Sequence, residues 1–148
     1  MLFRSRHRLA EKLLTEVLGV EWSKVHVEAE KLEHAISPEL ERHLLKYFGR
    51  GAHCPHGNPL FGGLARLKRK RSAIQLSQVR APARVEVLRV HERDIQFLEF
   101  LSRLAIFPGT LLKVRSVSYD RTMTIQNGRK LMHLSEAATS RIWIRVRR

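Results

Sequence analysis

The sequence predicts an α+β chain in which three N-terminal helices are followed by a small β-barrel, and three observations carry that reading. Apolar residues recur at helical spacing as far as Phe48, and from Ile74 onward the period drops to two. Between them lie a stretch dense in Gly and Pro, residues 49–63, and a basic run without a single acidic residue. The expected division is a helical domain over 1–63, a basic linker over 64–76, and a barrel over 77–148.

Residues 1–5 match no element. From Arg6 to Val17 the stripe Leu9, Leu13, Leu14, Val17 predicts a helix, closed by Gly19 as its C-cap. The second helix is expected over Ser23–Ile36, with Ser23 as N-cap and Trp22 and Val27 flanking it as a hydrophobic staple. The third opens at Ser37 with Pro38 in the first helical position, carries Leu40, Leu44, Leu45, Tyr47 and Phe48, and ends at Gly49. Three short helices cannot close a core alone, so burial against a partner subunit or a further domain is expected.

The loop GRGAHCPHGNPLFGG holds Cys54 and His56, half of a structural metal site. It reads more simply as a shaped turn holding Leu60 and Phe61 against the helices. Strand patterns follow at Ala83–Val90, Leu111–Val117, Thr122–Gln126, Arg129–Leu134 and Ile142–Val146. A short helix over Asp94–Leu104 is inserted among them, Pro108-Gly109 marks a turn, and Asn127-Gly128 marks a hairpin. Five short strands with one inserted helix predict a closed barrel.

The formal charge of +14 is unevenly placed. Residues 1–50 are nearly neutral, with nine Lys/Arg against eight Glu, whereas residues 73–148 hold fourteen basic side chains against six acidic. Such a surface favours polyanions, although no aromatic interleaves Arg66, Lys68, Arg69, Lys70 and Arg71 to stack on bases. No apolar run approaches the roughly 20 residues of a spanning helix, and Glu11, Lys12 and Glu16 interrupt what would be a signal peptide's apolar core. Cys54 is the only cysteine, which excludes an internal disulfide and suits a reducing, cytoplasmic compartment with no membrane partner.

The chemistry concentrates in His7, Glu11, His26, Glu30, Glu33 and His34. On a helix turning about 100° per residue, His26, Glu30, Glu33 and His34 share one arc while Val25, Ala29, Leu32 and Ile36 share the next. His7 and Glu11 stand one turn apart on the preceding helix. Surface His and Glu are individually commonplace, but two His/Glu pairs at one-turn spacing plus an adjacent Glu-His doublet point to a metal. The zincin and di-iron spacings are absent, since Glu30 stands where an inverse zincin needs a second imidazole and Glu33-His34 is adjacent. Oxygen and nitrogen donors favour Mn²⁺ or Fe²⁺, with Co²⁺, Ni²⁺ and Zn²⁺ able to compete in vitro.

The segment RHRLAEKLLTEVLGVEWSKVHVEAEKLEHAISPELERHLLKYF, with CPHGNPLFG after it, resembles the metal-binding and dimerisation domain of the diphtheria toxin repressor family of iron- and manganese-dependent transcription regulators. Residues 78–146 resemble its SH3-like domain, related to ferrous-iron transport accessory protein A. The resemblance implies an ancillary metal site of His7, Glu11 and His26 and a primary, regulatory site of Glu30, Glu33 and His34. Glu at position 30, rather than Cys, tilts the chain toward Mn²⁺. Asp94 and Gln96 are the nearest equivalents of ligands that the SH3-like domain lends to the ancillary site in some members. The resemblance further implies a homodimer acting on operator DNA through a winged helix-turn-helix, and nothing before His7 is long enough to be that domain.

The reading is therefore the metal-sensing, dimerising portion of a transcription regulator that is not an enzyme. Two alternatives stand beside it. One makes the basic barrel a nucleic-acid or protein-binding module and the helices a structural dimeriser. The other is a metallohydrolase with Glu11 or Glu30 as general base.

Overall fold

The computed structural model describes residues 2–49, 53–57 and 73–148. The chain divides into two compact units, Met1–Leu67 and Lys68–Arg148. Leu60, Phe61 and most of the expected linker lie outside the described residues.

In the first unit, α1 spans Leu2–Lys12 and passes into a wider π-helical turn over Leu13–Val17. The helix thus begins within the five residues expected to match no element, a correction that follows from their lacking any Pro or Gly to break it. The Leu18 N–H donates to the Leu13 carbonyl at 3.3 Å, and Gly19, at φ +70°, turns the chain out of the helix.

Helix α2 covers Val25–Glu33, shorter than expected, and Ser23 is not its cap. Residues 21–24 form a turn in which Lys24 and Val25 both donate to the Glu21 carbonyl, so the chain enters the helix already curled. The staple does not form either. Trp22 Nε1 donates instead to the Pro55 carbonyl at 2.7 Å, and Val27 is exposed.

Helix α3 covers Pro38–Phe48, with Ser37 accepting from the Leu40 N–H and Gly49 ending it. Leu9, Ala10, Ala29, Ile36, Leu44 and Cys54 form the core, with Leu13, Leu14, Leu32, Leu45 and Phe48 packed around it. Arg6 Nε, 2.9 Å from Glu41 Oε2, ties α1 to α3. Val17, Leu18, Leu40 and Tyr47 stay exposed on this unit.

The second unit is a six-stranded antiparallel sheet in the order β1-β6-β2-β3-β4-β5. Its strands are β1 Ile74–Gln75, β2 Ala83–Val90, β3 Leu111–Val117, β4 Met123–Asn127, β5 Lys130–Leu134 and β6 Ile142–Arg147. Alternation sends Val85, Val87, Leu112, Val114, Ile125, Met132, Leu134, Ile142 and Ile144 into the core. Helix α4, Ile95–Arg103, adds Phe97, Leu98 and Leu101. Two-residue β1, the single turn at Leu76–Gln78 and the short α5, Glu136–Thr139, are too brief to leave a periodic signal.

Candidate metal centre

The centre is built by one turn of α1, the facing edge of α2 and the turn at Cys54–Gly57. One-turn spacing stacks His7 and Glu11 on one face of α1. His7 Nε2 lies 2.7 Å from Glu11 Oε1 and 2.8 Å from His26 Nδ1 on α2, and His26 Nδ1 stands 4.0 Å from the same carboxylate oxygen. Three donor atoms from two helices therefore share one small volume.

The outer ring nitrogens fix which way the imidazoles face. His7 Nδ1 is 2.9 Å from Glu33 Oε2, and His26 Nε2 is 3.2 Å from Glu30 Oε1. An N–H on each outer nitrogen donates to its carboxylate and leaves a lone pair on each inner nitrogen, aimed at Glu11. Three lone-pair-bearing atoms 2.7 to 4.0 Å apart repel one another unless a cation or proton sits among them. The donor set fits a divalent metal on that ground.

The second oxygen of Glu11 meets a second group. His56 Nδ1 lies 2.7 Å from Glu11 Oε2, and the Cys54 sulfur, the His56 nitrogen and a Glu11 oxygen all fall within 4.8 Å of one another. His56 is held from behind: its Nε2 donates to the Trp22 carbonyl at 3.1 Å, and its ring lies 5.0 Å from that of Trp22. Gly57 N–H closes the turn on the Cys54 carbonyl at 2.9 Å, with Pro55 pre-setting the backbone between them.

Glu11 is fully buried, and neither oxygen receives an aligned hydrogen bond among the described residues. Burial pushes its carboxyl up, but protons on the ring nitrogens of His26, His56 and His7 that face it, standing where a cation would, outweigh burial and hold it well below the usual carboxylate range. A buried, ionised carboxylate with a different set of donors at each oxygen is what a cation site requires.

The structure thus brings together His7, Glu11 and His26 and places Glu30 and Glu33 behind the two imidazoles. His34 is 71% exposed, with Nε2 3.7 Å from Glu33 Oε1. In the second unit Asp94 Oδ1 accepts from the Phe97 N–H at 3.1 Å and Oδ2 accepts from Arg141 at 2.8 Å, so both oxygens are engaged; Gln96 is exposed. His56 and Cys54 were readable as residues but not as members of the centre. Their place depends on Trp22 docking the loop, a contact across 33 residues.

Comparison with known proteins agrees with this architecture. Residues 3–62 match the iron dependent repressor, metal binding and dimerisation domain, and residues 74–146 match the FeoA domain. Over 57 residues the chain is 46% identical to the iron-dependent repressor IdeR of Mycobacterium leprae and 49% identical to the diphtheria toxin repressor of Corynebacterium jeikeium. Those stretches are 38% of this chain, 25% of the first relative and 24% of the second, so the chain spans about a quarter of each. A solved manganese-dependent transcriptional repressor in complex with manganese superposes with a TM-score of 0.84 at 27% identity, covering 99% of this chain and 70% of that one.

The first unit is therefore a metal-binding and dimerisation domain, and the second an SH3-like domain of FeoA type. Both units thus match domains of known type, and the first is similar in sequence to the corresponding part of IdeR and of the diphtheria toxin repressor.

Proposed function

We propose that this chain is the sensing and dimerising portion of a cytoplasmic iron- or manganese-dependent repressor of metal-homeostasis genes. The convergence of His7, Glu11 and His26 at 2.7 to 4.0 Å carries the proposal. These three would hold the ion, while Glu30 and Glu33 orient the two imidazoles. A bound divalent cation supplies the positive charge that three inward lone pairs lack. Because His7 and Glu11 belong to α1 and His26 to α2, its occupancy fixes the angle between two helices. Selection of the operator-competent arrangement follows as a population shift.

Glu33 and His34, 3.7 Å apart at the C-terminal end of α2, are the nucleus of the outward, regulatory site that also takes Glu30. The nitrogen and oxygen donors suit Mn²⁺ and Fe²⁺. The Cys54 sulfur makes the second group softer and better suited to Fe²⁺ or Zn²⁺. The exposed Val17, Leu18, Leu40 and Tyr47 support a homodimer that covers them.

Thermal melting under Mn²⁺ and, anaerobically, Fe²⁺ tests the reading. Wild type melts higher with either ion, and a His7→Ala, His26→Ala variant gains markedly less. An unresponsive wild type refutes it.

A further inference from the structure

The outer face of the sheet carries a row of charge that the metal centre does not use. Arg147 of β6 lies opposite Arg84 of β2, Arg84 opposite Lys113 of β3, and Lys113 opposite Gln126 of β4. Directly opposed residues share a face of the sheet with Cβ atoms about 5 Å apart, so three cations line up over about 10 Å. All three are exposed.

Like charges placed opposite one another are destabilising. The relief on this face is Glu86, whose Oε2 lies 2.6 Å from Arg145 Nη2 and 3.3 Å from Arg147 Nε. Among the described residues Arg84 and Lys113 have no carboxylate partner. The row borders a shallow groove of about 340 Å³ that also takes in Leu111, Gly128 and Arg148. A line of cations that one carboxylate neutralises only at the Arg147 end, beside a groove, calls for an external polyanion.

We infer that this row binds the phosphate backbone of duplex DNA without regard to sequence. The inference rests on the proposed role at DNA, but it concerns a surface of the second unit and needs no metal. A duplex suits the row better than an acidic peptide on two counts. It carries one charge per about 1.7 Å of axis, already ordered, whereas a flexible peptide must give up chain entropy to follow a straight line. The groove is also lined by no aromatic residue, so it offers contact to phosphate and sugar and no platform for bases.

The test is fluorescence anisotropy of a labelled random-sequence duplex with the full chain, metal-free, at salt concentrations from about 50 to about 200 mM. Each phosphate neutralised contributes about 0.9 to the slope of log K against log salt. Replacing Arg84, Lys113 and Arg147 together by Gln makes the slope shallower by about 2.7 and weakens binding at least about tenfold at the low-salt end. Arg84→Lys with Arg147→Lys keeps the charge and retains binding.

If the triple variant fails to fold, Lys113→Gln alone is read for a change of about 0.9. An unchanged slope in the folded variants overturns the inference. So does poly-glutamate binding that matches the duplex in strength and is lost in the same variants, since the face then belongs to acidic peptides. Failure of the metal response leaves these readings unaffected.

Discussion

Glu11 on α1 and His56 in the Cys54–Gly57 turn meet at 2.7 Å, Oε2 to Nδ1, with both side chains wholly out of solvent. The other oxygen of the same carboxylate faces His7 and His26. One buried group therefore joins two helices and a loop. Disturbing any of the three is felt at the other two.

Trp22→Phe tests the loop's anchor. The indole N–H donates to the Pro55 carbonyl at 2.7 Å, and the ring lies 5.0 Å from His56. Losing the donor leaves a half-buried carbonyl unsatisfied, at a cost of about 1 to 2 kcal/mol in urea unfolding. Because the Trp22 carbonyl also holds His56 Nε2, the metal-induced rise in melting temperature shrinks in the same variant.

Cys54→Ala separates the two donor groups. The Glu11, His7 and His26 set contains no atom of Cys54 and continues to bind a cation. The set at the opposite Glu11 oxygen loses its sulfur. Zn²⁺ calorimetry resolves one class of site fewer in the variant than in wild type.

How much of this was readable beforehand differs between units. The strands and α4 announced themselves because alternation and the helical spacing of Ile95, Leu98, Leu101 and Leu104 are local signals, and the pairs at 7 and 11 and at 26 and 30 followed from helical spacing. Trp22 was misread as half of a staple because a nearby apolar partner, Val27, fits the local pattern while the actual partner is 33 residues away. Glu30 and Glu33 lie on the expected edge of α2, but spacing cannot say whether a carboxylate points at the centre or at the back of an imidazole. His56 needed the tertiary fold, since no periodicity connects a tight turn to a helix face.

Asp94→Asn tests the second unit through pH. The Phe97 N–H, and then Arg141, hold the Asp94 carboxyl below the usual range, so the folded state favours its charged form. Its contribution is whole above the ordinary carboxylate pKa, about 4, and is lost as pH falls through the lower folded value. Asn keeps the cap's acceptor and removes the charge. Wild type therefore melts higher than the variant at neutral pH, and the gap closes toward pH 3 in a series of thermal melts.

The central claim is that His7, Glu11 and His26 hold a divalent cation, and electron paramagnetic resonance of free Mn²⁺ tests it most directly. As wild-type chain is added at fixed Mn²⁺ the aqueous six-line signal is predicted to fall, and Glu11→Gln and the His7→Ala, His26→Ala variant, both still folded, are predicted to leave more of it standing. A signal that wild type does not diminish, or that these variants quench as fully, contradicts the account.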